Sequence, residues 1–307
     1  MAYYKYLCAR RTGRYAEAVP RYDLEEKVVL VTGGARGIGF AAANQLHERG
    51  ASVAIVDLDA TEAEEAAERV GERAIGIAAD VAVEGAVMAA VAETVDRLGR
   101  LDVAVANAGI APPSTTTARK MPPEQFQRVI DVNLLGAWHT ARAALPQVVD
   151  RGGQVIFIGS LYSFSNGLLA SPYAVSKAGV EALGRALRAE LAPLGASAGI
   201  VYFGWVETDL VRDSIDSRDD GFGARALDEV LPGFLLRRIP PEDAGAAIAR
   251  ALEKRAARTF APKVWRYISA FRGLINPLLD RRFEHDDSVA ALVAEAEANA
   301  DRRAAGR

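Results

Sequence analysis

Lys27-Val28-Val29-Leu30-Val31-Thr32-Gly33-Gly34-Ala35-Arg36-Gly37-Ile38-Gly39 is the stretch that decides the fold. Lys27 to Val31 is a short apolar run, read as a buried parallel strand. It enters a glycine-rich turn, and an amphipathic helix is expected from about Ile38 to Arg49. Strand, glycine turn and helix in that order are the context that makes a dinucleotide motif credible. Gly33 allows the tight turn, and Gly37 and Gly39 let backbone amides and the helix N-terminus approach a pyrophosphate. A second strand, Ser52 to Val56, ends at Asp57, 18 residues beyond Gly39. That is near the spacing expected for a carboxylate on an adenosine ribose. A glycine turn with no ligand would explain the glycines alone, but poorly the glycines, strand and acid together.

Further elements follow in strict alternation. A strand is expected near Ala74 to Ala79, a helix from Glu84 to Leu98 and a fourth strand from Val103 to Ala106. Pro112-Pro113 and Pro122-Pro123 bracket a loop, and one long helical stretch, Glu124 to Asp150, carries Asn133. Gln154 to Gly159 is the fifth strand and ends at Ser160; Ala198 to Phe203 is the sixth. Such alternation demands a parallel sheet with helices on both faces, a doubly wound α/β fold. Ligands of these sheets bind beyond the carboxyl ends of the strands. The glycine turn, Asp57, Asp80, Asn107, Ser160 and the loop after Phe203 all fall there.

Tyr173-Ala174-Val175-Ser176-Lys177 places a tyrosine and a lysine four apart, on one face of a helix running to about Leu191. A fixed ammonium favours the phenolate, which makes a tyrosine usable as an acid/base near neutral pH. The chain has six lysines against 31 arginines, so a lysine here is not background composition. Ser160 lies 13 residues upstream of Tyr173.

Together these motifs resemble the short-chain dehydrogenase/reductase family over about Lys27 to Leu210. Thr32, Gly33, Gly37 and Gly39 match its TGxxxGxG, with Arg36 and Ile38 inside the turn. Asp80-Val81 stands where the family contacts adenine, Asn107-Ala108-Gly109 matches its NAG, and Asn133, Ser160, Tyr173 and Lys177 match its catalytic tetrad. Phe203-Gly204-Trp205-Val206-Glu207-Thr208 stands for its PGxVxT, with phenylalanine in place of proline. The resemblance implies a Rossmann-like single domain, a nicotinamide cofactor near Gly204, Val206 and Thr208, and conversion of an alcohol to a ketone. It further implies that Tyr173 exchanges the proton, Lys177 lowers the Tyr173 pKa and holds the nicotinamide ribose, Ser160 binds the substrate oxygen, and Asn133 holds a water. Asp57 favours NAD over NADP, whereas Arg36 pulls the other way. An epimerase or dehydratase that retains its cofactor, and a non-catalytic nucleotide sensor, are the alternatives.

Composition narrows the classes further. A net charge of −3 gives no bulk attraction to nucleic acid, and the only cysteine, Cys8, excludes an intrachain disulfide. A reducing cytoplasm is the default location. His47, His139 and His285 lack ligand spacing, so no metal site is expected. No apolar run approaches the length that spans a bilayer.

Three segments depart from the family pattern. The N-terminal arm, residues 1–26, carries Tyr3, Tyr4, Tyr6, Arg10, Arg11 and Arg14; it either packs on a neighbouring subunit or is a leader without order. Within the dehydrogenase domain, 27–262, the apolar connection 204–239 reads as a lid. With it, Leu161, Phe164, Leu168, Leu169, Trp205, Leu210 and Val211 are expected to wall an apolar substrate pocket of almost no charge, though Arg212 and Arg225 could swing in. A helical extension, 263–307, follows a short strand at Arg258 to Pro262. Its stretch Lys263 to Phe283 has Trp265, Ile268, Ile275 and Leu279 at near-helical spacing among arginines, with Pro277 expected to break or kink it. Such a stripe packs on its own protein or a twin subunit more often than on a membrane surface. The tail from Asp286 reads as a solvated, fraying helix. A homodimer or homotetramer is expected through the helices of Asn133 and Tyr173.

Overall fold

A computed structural model of the chain describes residues 21–213, 221–230 and 233–305. Seven strands form one sheet: β1 Val28–Thr32, β2 Ser52–Asp57, β3 Ala74–Ala78, β4 Val103–Ala106, β5 Gln154–Ser160, β6 Ser197–Phe203 and β9 Arg258–Ala261. Their order is β3-β2-β1-β4-β5-β6-β9, parallel throughout. The chain winds outward from β1 to β3, then returns to β4 on the other side of β1. That reversal opens the crevice in which doubly wound sheets bind ligands.

Strands buried on both faces need no alternation, and β1 is Val-Val-Leu-Val-Thr with every residue buried. Helix α1, Gly37–His47, covers one face with α8, Pro241–Glu253; Ala42, Leu46, Ile248 and Leu252 join Val29, Val31 and Ile55 in that core. The other face is covered by α3, Glu84–Leu98, α5, Gly136–Asp150, and α6, Ser171–Leu191, through Val91, Ala141, Val180 and Leu187. Helix α2, Ala60–Val70, links β2 to β3.

Three details differ from the sequence expectations. The stretch expected as one helix from Glu124 is divided into α4, Pro123–Ile130, a π-helical turn, Asp131–Leu135, and α5. The bulge lets Asn133 turn inward, with Nδ2 donating to Ile110 O at 3.0 Å and Oδ1 accepting from Ile110 N at 2.8 Å. Helix α9, Trp265–His285, runs through Pro277 rather than ending there. The tail is no solvated helix: α10, Asp287–Ala305, buries Val289, Leu292 and Ala296. The last two pack with Leu169, Phe222 and Ala226, because the lid helix α7, Phe222–Val230, offers them an apolar partner. The base of the lid is a two-stranded ribbon, β7 Trp205–Val206 with β8 Arg238–Ile239.

Residues 1–20 of the N-terminal arm lie outside the described residues. Tyr22, the last arm tyrosine, packs on its own chain, its amide donating to Glu253 O at 2.8 Å and the Arg255 guanidinium lying 4.6 Å above its ring. Among the described residues no helix is long and apolar enough to cross a membrane.

Candidate active site

Strand β5 delivers Ser160 to the carboxyl edge of the sheet, and the first turns of α6 bring Tyr173 and Lys177 against it. The chain between them is fixed locally. The Ser160 amide donates to Ser163 Oγ at 3.2 Å, Tyr162 N donates to Ser160 Oγ at 3.3 Å, and Ser163 Oγ donates to Lys177 O at 2.9 Å. The Tyr173 hydroxyl is hydrogen-bonded to Ser160. Burial pushes the Tyr173 pKa up, and the Ser160 bond draws it part of the way back. The Tyr162 ring meets Tyr173 edge-on at 5.7 Å and fixes its plane.

Lys177 is 4% exposed, and burial pushes its pKa down to about 8. Its Nζ donates to Ile158 O at 3.0 Å and lies 5.6 Å from the centre of the Tyr173 ring. The phenol pKa is raised by its apolar surroundings. The ammonium is held by a backbone carbonyl of β5. Asn133 sits beside it: a Cβ placed on Gly109 would stand 3.4 Å from Asn133 Oδ1 and 3.6 Å from Lys177 Nζ. Asn133 Nδ2 also donates to Ser176 Oγ at 3.2 Å.

A cavity of about 460 Å³ runs from this cluster to the glycine turn. Gly33, Arg36, Gly37, Ile38, Asp57, Asp80, Val81, Asn107, Ala108, Gly109, Gly204, Val206 and Thr208 all line it, together with Ser160, Tyr173 and Lys177. Gly39 stands behind the turn, where a Cβ would fall 2.0 Å from Gly33 O. Gly33 has φ +61 and lies against the Ala108 backbone, a double demand that only glycine meets. Asn107 ties the two loops, Nδ2 donating to Thr32 O and Gly33 O, both at 2.9 Å.

A dinucleotide fits this cradle. No side chain caps the N-terminus of α1 and its first turn holds no acid, so its amides face the cavity with partial positive charge and no internal partner. Asp57 closes the far side, bound by Ala35 N at 3.0 Å and Leu58 N at 2.8 Å. Asp80 is engaged through Oδ1 with Ala82 N at 2.9 Å and through Oδ2 with Arg128 at 3.3 Å.

The expected substrate walls are only partly there. Leu210 and Val211 line the cavity. Leu161, Phe164 and Trp205 do not; they belong to the main core, because Phe164 packs edge-on against Tyr202 and Phe260. Leu168 and Leu169 face the lid helix and α10 instead. The wall is not free of charge either, since Asp209 and Asp213 flank Leu210 and Val211. Arg212 is held by Asp209, and Arg225 by Glu295 at 2.9 Å, so both are engaged with acids rather than turned inward.

Helix α10 straps the loop of Thr117 to Lys120 to the lid helix. Glu297 accepts from Thr117 Oγ1 at 2.9 Å and pairs with Arg119, Asp301 pairs with Lys120 at 2.6 Å, and Glu295 holds the lid through Arg225. Sequence reasoning missed this strap, and also Tyr162, Ser163 and Arg128. Ser163 had a signal: serine three residues after serine is a capping-box pattern, and both of its bonds are present. Arg128 and the strap join residues far apart in the chain and leave no local pattern.

Fold and site together define a class, an oxidoreductase built around a nicotinamide nucleotide cradle. The family model for short chain dehydrogenase matches residues 27–219. The chain belongs to the short-chain dehydrogenase/reductase family. It is 35% identical over 207 residues to the (-)-trans-carveol dehydrogenase of Rhodococcus erythropolis, covering 62% of this chain and 74% of that one. It is 34% identical over 247 residues to the cyclohexanol dehydrogenase of Rhodococcus sp. strain TK6, covering 73% and 88%. The 3-ketoacyl-(acyl-carrier-protein) reductase of Brucella melitensis, solved with NADH, superposes with a TM-score of 0.67 at 28% identity, over 77% of this chain and 97% of the other. A short-chain type dehydrogenase/reductase from Mycobacterium marinum gives 0.69 at 29% identity, over 80% and 97%.

Proposed function

We propose that the protein interconverts an apolar secondary alcohol and its ketone with NAD(H). The observation that carries this is the Tyr173–Ser160 pair, with buried Lys177 beside it, at the sheet edge next to an uncapped glycine cradle. Bound nicotinamide supplies or accepts the hydride. The chain's own residues handle the oxygen and its proton. Ser160 and Tyr173 grip one substrate oxygen. Tyr173, held neutral by burial, donates its hydroxyl proton to a carbonyl oxygen as the ketone is reduced, and takes it back in the reverse direction. Lys177 and Asn133, adjoining across Gly109, hold the ribose end of the cofactor and lead the proton outward. The names of the carveol and cyclohexanol dehydrogenases point to a cyclic alcohol. An NADH absorbance screen over cyclic, aryl and short hydroxy-acid alcohols tests the assignment; turnover confined to the hydroxy acids, or absent throughout, would refute it.

NAD is the proposed cofactor. Asp57 already orients both oxygens with backbone amides, and its charge repels a 2′-phosphate. Arg36 lines the same cavity and would welcome that phosphate; Arg128, the other arginine of its lining, is paired with Asp80. Asp57→Ser is expected to shift the NAD/NADP ratio of kcat/KM roughly tenfold towards NADP, about 1.4 kcal/mol. A wild type that already prefers NADP would show that Arg36 dominates.

The strap predicts a division of kinetic effects. Ending the chain at Asp286 should raise KM for a bulky alcohol roughly tenfold, because the packing on Phe222 and the tie of Glu295 to Arg225 on the lid helix are lost. NADH binding, followed by fluorescence, should not change. A matching loss of NADH affinity would mean that α10 supports the whole fold.

Leu135 and Trp138 near the start of α5 and Val175 on α6 are exposed apolar side chains, which supports a homo-oligomer paired through these helices. Sedimentation at micromolar concentration is expected to give a dimer or tetramer; a monomer would contradict it.

A further inference from the structure

We propose that helix α9 docks on an anionic phospholipid surface, with its face from Tyr267 to Leu278 sunk among the headgroups. Between Arg266 and Arg281 every exposed residue is apolar. Tyr267, Phe271, Leu274 and Leu278 carry the bulk and are 60%, 57%, 70% and 72% exposed; Ala270, Gly273 and Pro277 fill the gaps between them. The spacing of four, three and four residues aligns the large side chains along one side of the helix. Arg272, the one charge between Tyr267 and Leu278, is bound to buried Glu181 at 2.9 Å.

Cations bracket the face. Lys263 and Arg266 stand exposed at one end and Arg281 at the other; Arg282 beside it is paired with Asp286 at 3.4 Å, and Glu284 is the one exposed acid of the helix. An apolar stripe with an exposed cation at either end fits a surface of lipid phosphates. It fits a second copy of itself poorly. Parallel pairing sets each basic end against its twin, and antiparallel pairing sets one basic end against the other. The stripe also offers only on the order of 500 Å², short of the roughly 800 Å² per partner of a stable protein interface.

The opposite face of α9 is fastened to the domain. Trp265 and Ser269 are buried, Asn276 Nδ2 donates to Phe164 O at 2.8 Å, and Asn166 Nδ2 donates to Asp280 at 2.8 Å. The stripe is therefore presented on a rigid backing, so little ordering entropy opposes docking. Those last two bonds hold the loop between Ser160 and Tyr173. A docked α9 sets the rim of the site beside the phase in which an apolar alcohol concentrates; this consequence rests on the proposed activity, whereas the docking does not.

Flotation of the full-length protein with phosphatidylcholine vesicles, with and without one quarter phosphatidylglycerol, tests the proposal without any assay of turnover. The wild type should float with the anionic vesicles, less so as salt is raised. Phe271→Ser with Leu274→Ser should lower the bound fraction at least tenfold. Lys263→Gln, Arg266→Gln and Arg281→Gln should each weaken anionic binding about fivefold. Unchanged circular dichroism melting and NADH fluorescence would show that the variants fold. No flotation of the wild type, or equal flotation of the serine variant, overturns the proposal. So does a fall in sedimenting mass of the serine variant in the absence of vesicles, which would make the stripe a subunit contact.

Discussion

Tyr173→Phe is expected to lower turnover by about 10³-fold while the protein stays folded and binds NAD as before. Only the hydroxyl is lost. The ring keeps its edge contact with Tyr162 at 5.7 Å and its place on α6, so packing changes little. What disappears is the group bonded to Ser160, the proposed proton donor to the carbonyl oxygen. Ser160 can still bind that oxygen but has no path to Lys177. KM should move far less than kcat, since the missing interaction matters most as charge develops on the oxygen. Single-turnover kinetics with NADH would separate the two. A variant that retains near-normal kcat would remove Tyr173 from the chemistry.

Lys177→Met is expected to abolish turnover and yet raise the stability of the nucleotide-free protein at pH 7. Burial holds the Lys177 pKa at about 8 against 10.5 when exposed. Between those values the unfolded chain binds the proton and the native protein does not, so stability rises with pH across that window. Below pH 8 the whole cost of a buried ammonium is present, about 3 kcal/mol at about 1.4 kcal/mol per pH unit. Methionine removes that cost but forfeits the bond to Ile158 O, worth about 1 kcal/mol. The balance, about 2 kcal/mol, should raise Tm by several degrees. Calorimetry at pH 7 and pH 10 checks it: the advantage of the variant should shrink at the higher pH, where wild-type Lys177 no longer carries its charge. A variant less stable than wild type at pH 7 would show that the lysine is well solvated. Tyr173 acts in the opposite sense. Its folded pKa is raised, so its contribution is fully present below the unfolded value near 10 and is lost as pH rises from there through the folded pKa.

Much of this molecule could be read from the chain because the decisive signals are local. The β1 run, the turn at Gly33 to Gly39 and the acid at Asp57 lie within 31 residues, and backbone sterics alone force their arrangement. Ser160, Tyr173 and Lys177 stand close in sequence and sit on two adjoining elements, so their meeting needed only the strand-to-helix crossover. Helix periodicity also marked α6. The same periodicity overlooked the π-helical turn at Asn133, since one inserted residue hardly alters an apolar pattern yet rotates the amide onto Ile110.

Tertiary packing decided the rest. Leu161, Phe164 and Trp205 have the chemistry of pocket walls, but the core claimed them, for a large apolar side chain goes to whichever dense surface lies nearest. That the Lys177 ammonium meets a carbonyl of β5 is likewise something no spacing reveals. The strap is the clearest case. Glu297 and Thr117 are 180 residues apart, and an alanine- and glutamate-rich tail looks the same in sequence whether solvated or docked. By itself the sequence determined the sheet, the cradle and the candidate catalytic cluster, because short-range geometry and periodicity encode them. Which side chains enclose the mouth was decided only by the folded chain, because contacts between distant segments form wherever complementary surfaces meet.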